Sequence, residues 1–170
     1  MLKPSIEDAI NDQIRVELHS AYVYLAMSAH FESLALPGCA AWMRQQAREE
    51  VAHAMRLFTY VNERGGRVIL QALDQPQKDF GTPKQAFEAA LKHEQHVTGT
   101  INRLYELAVK EADFATQTHL HWFIDEQVEE EDTARNIVDL FTRAGDHEAA
   151  ILMIDQKLAA RGSADHPDHD

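Results

Sequence analysis

Four glutamates, Glu17, Glu50, Glu94 and Glu130, stand where apolar residues are expected. Read in steps of seven, one stretch gives Ile10, Glu17, Tyr24, Phe31 and a second gives Met43, Glu50, Leu57. A third gives Phe87, Glu94, Ile101, Ala108, and a fourth gives Phe123, Glu130, Ile137. Each is an apolar helical seam interrupted once by an acid. Desolvating a carboxylate costs several kcal/mol unless it is paired, so four such acids at one level would repel and resist ionisation. Two divalent cations would balance their four negative charges. Glu50-Val51-Ala52-His53 adds an imidazole on the same helical face as Glu50. Carboxylates mixed with imidazole suit iron or manganese, and zinc competes. On the fourth stretch Gln127 takes the place of a second histidine in Gln127-x-x-Glu130; being neutral, it reads as a hydrogen-bonding neighbour rather than a strong ligand. Tyr24, two turns beyond Glu17, is open to a seam hydrogen bond with Glu94, to a redox role, or to both.

These acids converge only if long helices position them, and the punctuation supplies such helices. Ser5 can cap a first helix that Pro37-Gly38 breaks, and a second runs from about Cys39 to Arg64 before Gly65-Gly66. Thr82-Pro83-Lys84-Gln85 is a capping box with proline at the first helical position, opening a third helix to about Ala112. A break near Asp113 starts a fourth, to Ala144, and Gly145-Asp146 separates a short fifth, roughly His147 to Ala160. Each tight connection makes an antiparallel hairpin. The midpoint of Glu17 and His53 is residue 35 and that of Glu94 and Glu130 is residue 112, both at hairpin breaks, so these pairs should share one level. Residues 67–81 lack a sustained period, and fifteen residues can reach about 50 Å extended. That length lets the second and third helices run parallel across one long crossover. The expected fold is all-α: a long four-helix bundle of two hairpins plus a short C-terminal helix, one domain over 1–161, with 162–170 a polar disordered tail.

The chain resembles the non-haem bacterial ferritins over essentially the whole bundle. The resemblance rests on Glu17, Tyr24, Glu49-Glu50-x-x-His53, Glu94 and Gln127-x-Glu129-Glu130, in the family's order and spacing. It implies a first iron held by Glu17, Glu50 and His53, and a second held by Glu50, Glu94 and Glu130, with Glu50 bridging and Gln127 beside it. It further implies a third iron site at Glu49, Glu126 and Glu129. The function so implied is uptake of Fe(II), its oxidation by O₂ or peroxide at a di-iron ferroxidase centre, and storage of ferric mineral in a shell of twenty-four subunits. The fifth helix, with Ile151, Ile154 and Leu158 on one face, resembles the segment lining that shell's four-fold axes. Haem is not expected: the haem-binding bacterioferritins place methionine directly after the bridging glutamate, where this chain has Val51, and histidine where it has Glu130. Rubrerythrins need four additional cysteines, and this chain has one.

Composition bounds the partners. The formal charge of −12 argues against nucleic acid and anionic membranes, and no apolar run approaches the roughly 20 residues of a membrane span. The lone Cys39 reads as a small packed residue in a reducing cytoplasm. His93, His96, His119 and His121 read as surface or interface histidines, and the tail His166 and His169 as weak metal binders without function.

Overall fold

The computed structural model describes residues 2–160, which form five helices and, among the described residues, no strand. They are α1 Pro4–Ser33, α2 Pro37–Glu63, α3 Pro83–Lys110, α4 Phe114–Ala144 and α5 Glu148–Ala159. The 162–170 tail, with His166 and His169, lies outside the described residues.

Two helix starts differ from the sequence reading. Lys3, not Ser5, occupies the N-cap of α1, without a side-chain capping bond, and Pro4 opens the helix. Pro37 likewise opens α2 two residues before Cys39. In both cases the proline ring presets a helical φ and lacks an N–H that would otherwise go unpaired. The Thr82 capping box forms as expected: Thr82 accepts from the Gln85 N–H at 3.3 Å, and Gln85 accepts from the Thr82 N–H at 2.8 Å. Asp113 caps α4 by accepting from the Thr116 N–H at 3.0 Å while it pairs with Arg64 at the end of α2. The hairpin turns hold Ala35 (φ 56°) and Ala112 (φ 51°), the two residues expected at the midpoints of the acid pairs.

The connector travels the length of α1. Near its start the Asn11 side chain donates to Arg67 O at 3.0 Å and accepts from the Ile69 N–H at 2.8 Å. At its end His30 Nε2 lies 2.9 Å from Gly81 O. A segment that starts beside the beginning of α1 and finishes beside its end delivers α3 parallel to α2.

All the seam residues read from the sequence are buried, glutamates included. The apolar interior therefore falls into two clusters. One gathers Phe31, Trp42, Met43, Phe87 and Phe141; the other gathers Ile6, Ile10, Leu57, Ile101 and Leu120. The four glutamates form the polar layer between them. The seams differ in width: no Cα of α2 lies within 8 Å of one of α4 among the described residues, whereas α1 and α2 pack closely. α5 folds back on α2, where a Cβ added at Gly38 would lie 1.9 Å from Asp155 O and where Asp155 Oδ1 accepts from the Cys39 N–H at 2.7 Å. Burial and the Asp155 carboxylate push the Cys39 thiol up, so it stays a neutral packed group, as expected from the sequence.

Candidate metal centre

Each helix contributes one acid because each seam turns the same face inward at mid-length. Glu17, Glu50 and Glu94 are each 1% exposed, and Glu130 is 5% exposed. His53, Gln127 and Tyr24 are buried with them. One group of ligand atoms, within 4.8 Å of one another, comes from Glu17, Glu50 and His53; a second comes from His53, Glu126 and Glu130. Glu94 enters the layer from α3: Tyr24 donates its phenol proton to Glu94 Oε1, and Gln127 Nε2 donates to Glu94 Oε2 at 3.2 Å. The seam hydrogen bond left open for Tyr24 is therefore present.

The amides of this layer divide the carboxylates into two kinds. Gln13 Nε2 donates to Glu17 Oε1 at 2.8 Å, and Gln46 Nε2 donates to Glu130 Oε2 at 2.7 Å. With Tyr24 and Gln127 on Glu94, three acids each have a neutral donor on one oxygen. Glu50 has none: both its oxygens, and Glu17 Oε2, are buried without a hydrogen-bond partner among the described residues. Buried acceptors left without donors are costly, and hard cations are the chemistry that suits them. The residues present therefore fit a pair of metal ions centred on Glu50. Gln13 and Gln46 were missed in the sequence; the available signal was an amide four residues before a seam glutamate, on the same helical face.

The site is built to exchange protons for metal. Burial raises Glu17 to about 7, despite the Gln13 bond that pulls the other way. Burial, then the neighbouring Glu94, Glu17 and Glu130, hold Glu50 well above the carboxylate range. Burial likewise raises Glu94 and, with the surrounding acids, the Tyr24 phenol. Burial lowers His53 to about 4, with Arg56 adding to the effect, so its imidazole is neutral and ready to ligate at neutral pH. His53 points both ways: Nδ1 lies 3.8 Å from Glu50 Oε2 and Nε2 lies 4.0 Å from Glu126 Oε1.

These opposite shifts define a pH window. His53, His93 and His119, each lowered to about 4, add stability as pH rises from 4 to their ordinary value of 6.5, where the gain is complete. Glu17 and Glu50 hold protons in the fold that the unfolded chain has released, so their contribution is lost as pH rises through the folded values. Above pH 6.5 only the second trend remains. Each such proton changes stability by about 1.4 kcal/mol per pH unit. Metal-stripped protein is expected to lose roughly 1–2 kcal/mol between pH 6.5 and 8 in chemical denaturation, and saturating Zn(II) should abolish the slope. A flat metal-free profile would contradict the assignment.

Of the acids read as a third site, Glu126 reaches the centre through His53, Glu49 accepts from Gln45 Nε2 at 3.0 Å, and Glu129 is exposed. The ligand-atom groups among the described residues include neither Glu49 nor Glu129. Two histidines read as surface groups are internal. His93 Nε2 sits 2.7 Å from Ser20 Oγ with its ring edge-on to Tyr24, and His119 stacks on Tyr60 at 4.0 Å. Both are on helix faces that turn toward a neighbouring aromatic, which a single-helix reading does not reveal. His96 and His121 are exposed.

Comparison with known proteins agrees with this geometry. The ferritin-like domain family matches residues 7–144. A bacterial non-heme ferritin of Bacteroides fragilis (strain 638R) is 42% identical, covering 95% of this chain and all of the relative. One from Staphylococcus aureus (strain USA300) is 36% identical over 95% of this chain and 97% of its own. The crystal structure of an open-pore ferritin from the hyperthermophilic archaeon Archaeoglobus fulgidus superposes with a TM-score of 0.93 at 43% identity, covering 94% of this chain and 98% of that one. With a family match across the whole bundle and buried carboxylates on all four long helices, this chain belongs to the ferritin family, among the bacterial non-haem ferritins.

Proposed function

We propose that this protein stores iron: it takes up Fe(II), oxidises it at the mid-bundle carboxylate layer, and keeps the Fe(III) as mineral within an oligomeric shell. The observation that carries the reading is the set of buried, donorless oxygens on Glu50 and Glu17 facing His53 in a layer of four acids. A metal-free structural subunit gains nothing from such a layer, since replacing buried acids by apolar residues is neutral or stabilising.

In this reading Fe(II) is the substrate. Glu17, Glu50 and His53 hold one ion; Glu50, Glu94 and Glu130 hold the other, with Glu50 between them. Two Fe(II) give two electrons, which O₂ takes up with two protons to form H₂O₂, or which H₂O₂ takes up with two protons to form water. The glutamates release their protons as metal enters, because the ions replace the protons as the counter-charge. Gln127 and Tyr24 orient Glu94 without adding negative charge as ligands, which leaves the second ion with no imidazole of its own. Unequal ligation of this kind favours departure of the ferric product from the second position. Glu126, with Glu49 and Glu129 further along, offers an acidic lane for a third ion. No helix among the described residues is long and apolar enough to cross a membrane, and a cytoplasmic location with a twenty-four-subunit shell completes the proposal.

The test is anaerobic loading with Fe(II) followed by admission of air, with sedimentation before and after. The expected result is rapid oxidation of two Fe(II) per chain, then slower turnover that makes a large, hollow assembly heavier. A stable monomer or dimer that retains no mineral would overturn the storage reading.

A further inference from the structure

Glu130 belongs to two sets of ligands at once. It completes the four-acid layer, and it also lies with His53 and Glu126 in a second ligand group on the α2/α4 side. That side is the wide seam of the bundle, where backbones stay apart and side chains make the contacts. Within the acid layer the bridge across it is one hydrogen bond, from Gln46 Nε2 on α2 to Glu130 Oε2 on α4, at 2.7 Å. Gln46 is 1% exposed and stands one helical turn before Glu50.

We propose that Gln46 is the positioning residue that holds Glu130 toward the dinuclear centre and so decides when the second ion leaves toward Glu126. This rests on the ferroxidase reading above. The physical argument is one of competing geometries. A glutamate carboxylate can rotate about three side-chain bonds, and two acceptor sets lie within its reach. Anchoring Oε2 to a neutral amide removes that freedom without adding charge, and it leaves Oε1 to face a metal. Gln13 and the Gln127–Tyr24 pair do the same for Glu17 and Glu94, but those acids belong to no second group that includes Glu126. Only for Glu130, among the described residues, does the amide choose between two destinations.

The experiment uses the assembled protein and Gln46→Met, which keeps volume and removes the donor. Anaerobic titration with Zn(II), a redox-silent probe, should show two ions per chain in wild type. In Gln46→Met the weaker of the two should lose about 10- to 100-fold in affinity, the range seen when an outer hydrogen-bonding partner of a ligand is removed, while the tighter is unchanged. After a first round of Fe(II) oxidation the variant should also recover its fast phase sooner than wild type. Gln46→Asn, whose amide is too short to reach Glu130, should reproduce both effects if Gln46→Met fails to assemble. In a Glu130→Gln background the Gln46→Met change should have no further effect, because the residue acts through that carboxylate. Wild-type affinities and recovery in both Gln46 variants, or an undiminished effect in the Glu130→Gln background, would overturn the assignment. Failure of wild type itself to bind two ions would instead strike the ferroxidase reading.

Discussion

Replacing Glu50 by alanine is expected to slow aerobic oxidation of Fe(II) by more than about 100-fold while leaving helical content and assembly intact. Loss of an outer hydrogen-bonding partner costs a metal site about 10- to 100-fold, and Glu50 is the acid placed to touch both ions, so its removal should exceed that range. Its two oxygens have no protein donor among the described residues, so no hydrogen bond is broken when they go. The substitution also removes a buried acid that burial already forces toward the neutral form. Activity and stability are thereby separated: the fold should tolerate the change that disables the centre. Stopped-flow absorbance after anaerobic loading gives the rate, and a Glu50→Ala protein as fast as wild type would refute the ferroxidase assignment.

The largest stability effect is expected at Phe87. Its ring is fully buried and lies 5.4 Å from Phe31 of α1, 5.3 Å from Trp42 of α2 and 5.4 Å from Phe141 of α4. One side chain of α3 thus ties together all three other long helices. Phe87→Ala should cost about 3–5 kcal/mol, the transfer free energy of the ring plus the cavity left among partners that cannot collapse together. The effect should also reach the centre. Trp42 packs edge-on against Tyr24 at 6.4 Å, and Tyr24 orients Glu94. Denaturant titration gives the stability change; a loss below about 1 kcal/mol would mean that the aromatic cluster repacks far more freely than a dense core does.

The inward seams were legible because a helix repeats its face nearly every seven residues, so Ile10, Glu17, Tyr24 and Phe31 declare one stripe without any partner. The common height of the acids followed from distances to the turns, and Ala35 and Ala112 sit at those turns. Contacts between helices were less legible. Gln13 can be found from its own helix, whereas Gln46 bonds an acid 84 residues away across the α2/α4 seam. The width of that seam is a property of paired backbones, and a single stripe cannot show it. The internal placement of His93 and His119 depends on Tyr24 and Tyr60, which lie on other helices. Helix starts at Pro4 and Pro37 were displaced because a proline at the first position competes with a nearby serine or cysteine for the role of boundary.

The contact of Gly38 with Asp155 has a consequence for how this subunit presents itself. A joint made of backbone against backbone has no rotamers, so it transmits direction without slack. α5 therefore takes its bearing from the first turn of α2, and Asp155 adds a carboxylate at the positive end of that helix. The exposed Leu152 and Met153 point where that bearing sends them. A methyl group at residue 38 would re-aim this apolar face before it weakened the bundle. The smallest residue in the chain thus works as an alignment mark, setting the heading of an outward surface from inside the fold.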